Sequence, residues 1–106
     1  MWVVNGYNLQ MTEGDYGIEL PVIVTGTQLT ASDSLKFAFK RTVRGGPVLE
    51  KEFENIQNNT VNLAFTSSES EKFPIGSYVF SLDWYRDGQF MCNIITVGSL
   101  KVVEKA

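Results

Sequence analysis

The stretch SYVFSLDWYRDGQFMCNIITV, residues 77–97, decides the fold. Tyr78, Phe80, Leu82 and Trp84 alternate with smaller or polar residues, the period of two that gives a strand one buried face. Asp87-Gly88 interrupts the run, and a two-residue type I′ hairpin turn needs positive φ at both central positions, which this pair tolerates. Gln89 to Val97 then returns, apolar and without charge. Ser77 to Arg86 and Gln89 to Val97 are therefore predicted to form an antiparallel hairpin.

Its register has two solutions. A strict two-residue loop pairs Trp84 with Met91 and Leu82 with Asn93, and sets Tyr85 opposite Phe90 on the other face. An odd-length loop with a bulge instead turns Phe90, Cys92 and Ile94 inward. A one-residue slip moves every side chain to the opposite face. Under the two-residue loop, Tyr85 and Phe90 form an exposed aromatic pair, a candidate contact patch. The alternative is that the chain's own N-terminus covers them through Trp2, so Tyr85, Phe90 and Trp2 are the candidate interface residues.

Outward from the hairpin, Gly98 marks a bulge or bend, and Leu100 to Glu104 forms the last strand. Upstream, Thr66-Ser67-Ser68-Glu69 has the hydroxyl and Glu spacing of a capping box, predicting one helical turn toward Phe73. Val61 to Thr66 directs Val61, Leu63 and Phe65 inward, and Glu54 to Thr60 is a connection. Val48 to Phe53 is short and charged, which suits a sheet edge. Arg44-Gly45-Gly46-Pro47 is a hairpin turn. It follows a strand from Leu35 to Val43, with Leu35, Phe37 and Phe39 inward and Lys36 and Lys40 outward.

Thr25 to Ser34 lacks a hydrophobic period and reads as a loop. Tyr16 to Val24 is a strand whose inward set is Tyr16, Ile18, Leu20, Val22 and Val24. Pro21, with no N–H, argues for an edge there. Thr12-Glu13-Gly14-Asp15 is a turn, preceded by a strand with Tyr7, Leu9 and Met11 on one face. Short strands with regular turn signals predict an all-β fold: an immunoglobulin-like antiparallel β-sandwich of about seven to eight strands, one domain over residues 1–106.

Composition narrows function. The 106 residues are 43% hydrophobic and 20% charged, with a net charge of −3, an ordinary globular balance. Lys36, Lys40, Arg41 and Arg44 are near one another, but alternation makes Lys36 and Lys40 the solvated face of a strand. Nucleic-acid binding, which needs a basic surface, is not expected. Cys92 is the single cysteine, so no internal disulfide can form. The start, MWVVNGYNLQM, lacks the charged and apolar regions of a signal peptide, and no run approaches the roughly 20 apolar residues of a membrane span.

Histidine is absent, which removes the usual general base for a Ser or Cys nucleophile and the commonest transition-metal ligand. Cys92 alone cannot build a zinc site, and it reads as a small half-buried hydrophobe. Glu50, Glu52 and Glu54 alternate along one face, and Asp83 and Asp87 lie near the hairpin. Glycosidase chemistry needs two carboxyls facing across a cleft, whereas these read as a solvated acidic edge. The segment Glu54 to Asn59 holds amides but one carboxylate, too little for a calcium loop. Arg44-Gly45-Gly46 joins two strands, so it lacks the helix N-terminus of a phosphate loop. No enzyme activity, cofactor, metal or small-molecule substrate is expected. A carbohydrate-binding module is the alternative, with exposed Trp2 or Tyr85 stacking on sugar rings.

Several motifs recur in order. They are Glu13-Gly14-Asp15, the run SDSLKFAFK at 32–40, Leu63 to Ser67, Phe73-Pro74-Ile75-Gly76-Ser77-Tyr78, the Asp87-Gly88 hairpin and the Gly98-x-Leu100-x-Val102 ending. Together they resemble the N-terminal domain family of phage baseplate upper proteins and related prophage tail proteins. The resemblance implies a β-sandwich without catalytic residues, which heads a longer protein and attaches other parts to the virion. It also implies homo-oligomer or virion-protein partners, and assembly in the host cytoplasm.

Overall fold

The computed structural model describes residues 2–105. It is mostly β, with 56% of residues in strands. The elements are β1 (Val3–Asn5), β2 (Asn8–Thr12), β3 (Leu20–Ile23), β4 (Asp33–Lys40), β5 (Pro47–Phe53), β6 (Thr60–Leu63), α1 (Ser67–Ser70), β7 (Gly76–Arg86) and β8 (Gln89–Val103). Six strands form one sheet in the order β1-β2-β8-β7-β4-β5, and β3 and β6 form a second sheet of two strands.

The alternating residues do what their spacing predicts. Leu35, Phe37 and Phe39 of β4, Tyr78, Phe80 and Leu82 of β7, and Leu100 and Val102 of β8 are all buried. Val61 and Leu63 of β6 join the same core, with Leu20 and Val22 of β3 packed against it. The centre is aromatic: Phe39 lies 5.4 Å from Phe65, 5.6 Å from Phe73 and 5.7 Å from Phe80. Rings of this size bury much area each and pack tilted or edge-on, so a short chain gains a dense core from few residues.

One pairing departs from the all-antiparallel expectation. β2 runs parallel to β8, with Leu9 opposite Leu100 and Met11 opposite Val102. A parallel pair needs a long crossover, and here the whole chain between β2 and β8 supplies it. Strand direction between elements so far apart leaves no trace in local alternation.

Strand limits also differ from the expectation. Tyr16 and Ile18 are exposed, and regular pairing begins only at Leu20. The left-handed φ of 75° at Gly17 breaks the alternation that would have carried Tyr16 and Ile18 inward. Tyr7 is exposed as well, because Gly6 and Tyr7 form the turn between β1 and β2. The capping box forms as predicted: Thr66 Oγ1 accepts from the Glu69 amide at 3.2 Å, and Glu69 Oε1 accepts from the Thr66 amide at 2.9 Å.

Candidate functional site

The hairpin combines both register solutions. Asp87 and Gly88 take φ of 50° and 77°, a two-residue turn with positive φ at both positions. Arg86 pairs with Gln89 and Tyr85 with Phe90. The register then slips: Trp84 meets Cys92 rather than Met91, Leu82 meets Ile95 rather than Asn93, and Phe80 meets Gly98. Each slip adds one residue to β8 alone, and such bulges bend and twist the strand that carries them.

The bends carry β8 from the open tip of the hairpin back under the core, where it pairs with β2. Gly98 is needed at the last bend, since a Cβ there would lie 2.4 Å from the Phe80 ring. Cys92 is exposed, not half-buried as expected, because the tip extends past the core.

Tyr85 and Phe90 come together as an edge-to-face pair at 5.7 Å, and Phe90 is 54% exposed. Lys36 Nζ sits 5.3 Å from the Tyr85 ring centre while pairing with Glu50 at 3.2 Å. The Glu50 carboxylate raises the Lys36 pKa above its ordinary value. Trp2 lies elsewhere: its indole donates to the Ile18 carbonyl at 2.9 Å and its ring packs at 5.6 Å on Phe65. It therefore does not cover the aromatic pair. Both aromatic candidates for sugar stacking are engaged, Trp2 with Phe65 and Tyr85 with Lys36 and Phe90.

The base of the hairpin is fixed by a group that sequence reading left in a loop. Asp33 is buried, and its carboxylate accepts from Trp84 Nε1 at 2.8 Å, Arg86 Nε at 2.8 Å, and the Thr30 amide at 2.7 Å. The Arg86 guanidinium holds the Asp33 carboxyl well below the usual carboxylate range against the opposing effect of burial, and the Trp84 and Thr30 donors add to it. The signal was present: Thr30-x-x-Asp33 has the same hydroxyl-to-acid spacing as Thr66-x-x-Glu69.

The two flanks of the fold differ. On one, Lys51 of the edge strand β5 points inward and donates to Glu69 at 2.8 Å and to the Ala64 carbonyl. Burial pushes the Glu69 carboxyl up, but the Lys51 ammonium and the Thr66 amide outweigh it and hold the pKa down. This ties β5 to the β6–α1 connection and closes that flank.

On the other flank, an apolar groove of about 410 Å³ opens between β3 and β8 and reaches core residues Phe37, Leu63 and Phe80. None of its 16 lining residues is charged. Its rim holds Val4, Tyr7 and Ile23, the last 67% exposed. A smaller cleft of about 250 Å³ lies on the outer sheet face, where small Ala38 and Ser81 stand opposite each other beside Lys40, Asp83 and Asn93.

Among the described residues no three His, Cys, Asp or Glu side chains converge as a metal site, and no helix is long and apolar enough to cross a membrane. Compared with known family models, curated proteins and solved structures, the chain matches none of them.

Proposed function

We propose that the chain is a non-catalytic structural domain of a phage or prophage virion, in the baseplate or tail, that works through contacts with copies of itself and with neighbouring virion proteins. The observation that carries the binding half of this reading is a surplus of exposed surface in which large apolar side chains stand. A compact monomer of 11.9 kDa is expected to expose about 5,950 Å², whereas this chain exposes 6449 Å². Its radius of gyration is 13.7 Å, against about 13 Å for a compact domain of this length. Val4, Tyr7, Ile23, Phe90 and Met91 are among its exposed apolar residues, a pattern that marks protein contact.

We further propose an immunoglobulin-like sandwich. Three features support it. The order β8-β7-β4-β5 is that of strands G, F, C and C′ in such folds, and β3-β6 is that of B and E. At the start of β7, the Tyr78 hydroxyl donates to the Pro74 carbonyl at 2.6 Å, the bond of a tyrosine corner.

The virion half rests on the ordered motifs from Glu13-Gly14-Asp15 to Gly98-x-Leu100-x-Val102. Its test is peptide mass spectrometry of tailed particles purified from the source organism after prophage induction. The chain is expected in the particles at a fixed ratio to other tail proteins. Its absence from intact particles, with expression in the same cells, would contradict the virion assignment.

A further inference from the structure

We infer that copies of this chain associate head to tail, the tip of the β7–β8 hairpin of one copy seating on the β4–β5 turn of the next. The inference rests on the assembly reading above and assigns that assembly two complementary surfaces at opposite ends of the molecule.

The surfaces follow from how charge is partitioned. Three of the nine cations are paired within the chain, Lys36 with Glu50, Lys51 with Glu69 and Arg86 with Asp33. The other six form no ion pair among the described residues, and all lie toward one end of the six-stranded sheet. Lys40 ends β4, Arg41 and Arg44 stand in the turn before β5, and Lys72 lies in the connection that enters β7. Lys101 stands opposite Ser77 at the start of β7, and Lys105 follows β8. Carboxylates, among them Glu13, Glu71 and Glu104, share the far corners of this end. The β4–β5 turn, with Lys40, Arg41 and Arg44, is therefore its most positive part. At the opposite end the balance reverses. Asp83 and Asp87 stand at the hairpin tip and Glu54 follows β5, while the cations there, Lys36 and Arg86, are already paired.

The two ends act separately. β7 runs for 11 residues, about 36 Å at roughly 3.3 Å per residue, close to the molecule's longest dimension of 41 Å. The Debye length at 0.1 M salt is about 10 Å. The net charge of −3 therefore does not decide what meets the basic turn.

Each end also carries exposed apolar side chains among its charges. Phe90 and Met91 stand at the acidic tip, and Val43 and Ile75 at the basic end. An apolar centre within a charged rim is the anatomy of a protein contact, and here the rims have opposite sign. Both ends are held in shape. The Arg41 guanidinium lies 4.7 Å from the Tyr78 ring centre, and the Gly45 amide closes the turn by donating to the Thr42 carbonyl at 3.1 Å. At the tip, the Asp87 amide donates to the Ser32 carbonyl at 2.9 Å, and Asn93 donates to Asp83. A nucleic acid calls for a continuous basic surface and offers nothing to Val43 and Ile75. A second copy supplies carboxylates and an aromatic ring together. The two patches differ, so the contact is heterologous, and its repetition gives a closed ring or an open chain. Exposed ion pairs each contribute little and are screened by salt, so a single contact is weak and salt-sensitive.

The test is sedimentation velocity of the full chain over a concentration series, at about 0.02 M and about 0.3 M salt. One variant blocks the turn, Val43→Asp with Arg44→Glu, and another blocks the tip, Asp87→Asn with Phe90→Lys. All four positions are exposed, and circular dichroism checks that each variant folds. The wild type is expected to associate at low salt and to lose about tenfold or more in affinity at high salt. Each blocked variant is expected to weaken association by about tenfold or more at low salt. An equimolar mixture of the two should form a 1:1 dimer and nothing larger, because one intact tip then meets one intact turn. Association that persists in both blocked variants, or that ignores salt, would overturn this placement and leave the assembly reading standing. A wild type that stays monomeric at both salts would overturn the inference, and co-sedimentation of that monomer with a DNA duplex would make the turn a phosphate-binding surface instead. The virion assignment fails only by its own test in purified particles.

Discussion

Asp33 shows how one residue joins three parts of the chain. It binds Thr30 in its own loop and Trp84 and Arg86 on β7, so the loop that ends at β4 cannot drift from the hairpin base. Asp33→Asn keeps the size and loses the charge. It should lower unfolding free energy by about 1.5–3 kcal/mol in urea titrations, the range for hydrogen bonds to a charged group. The folded Asp33 holds its proton more weakly than the unfolded one. Its contribution is therefore complete above about pH 4, the ordinary carboxylate value, and drains as pH falls below that. Urea midpoints measured from pH 5 downward should fall more steeply in the wild type than in Asp33→Asn. Gly98 is the second such residue. Gly98→Ala should destabilise by about 1–3 kcal/mol through overpacking on Phe80. Adding Phe80→Leu should recover part of that cost in a double-mutant cycle, since the added methyl then has room.

Among the elements, the β7–β8 hairpin was legible in its strand type, its turn and its Tyr85–Phe90 pair, because alternation and Asp87-Gly88 are local signals. The bulges at Met91 and Ile94 were not, since these residues differ from their neighbours in nothing that alternation can detect, whereas the irregularity between Ile95 and Gly98 was signalled by that glycine. The α1 turn was legible for the same reason as the hairpin turn: Thr66 and Glu69 satisfy each other's backbone groups within four residues. β3 was misread at its start, where Gly17 breaks a pattern that looks continuous from Tyr16. At the start of β7, Tyr78→Phe removes the hydroxyl that donates to Pro74. It should cost about 1 kcal/mol, read as a lower thermal midpoint with an unchanged fold.

At the scale of the molecule, the all-β class followed from the spacing of turns, but the sheet order did not. Which strand lies beside β8, and in which direction, is set by contacts between residues 91 apart, such as the 2.7 Å bond from Ser99 Oγ to Asn8 Oδ1. The contrast between the flanks follows from that order. The β5 flank is tied by the Lys51–Glu69 ion pair, whereas the groove on the β3 flank is lined by uncharged residues. The Tyr85–Phe90 contact was anticipated from sequence, although only Phe90 is exposed and Tyr85 is half-buried; the groove was not, because among the described residues no strand pairs with the other edge of β3. The proposed function requires that exposed apolar surface of this domain be covered by protein in the working state. The most direct measurement is a two-dimensional NMR spectrum of the labelled chain from dilute to millimolar concentration. Shifts are expected at residues 4–9, 20–25 and 94–95, with residues 47–53 unmoved. A spectrum unchanged throughout, or shifts confined to residues 85–90, would contradict that expectation.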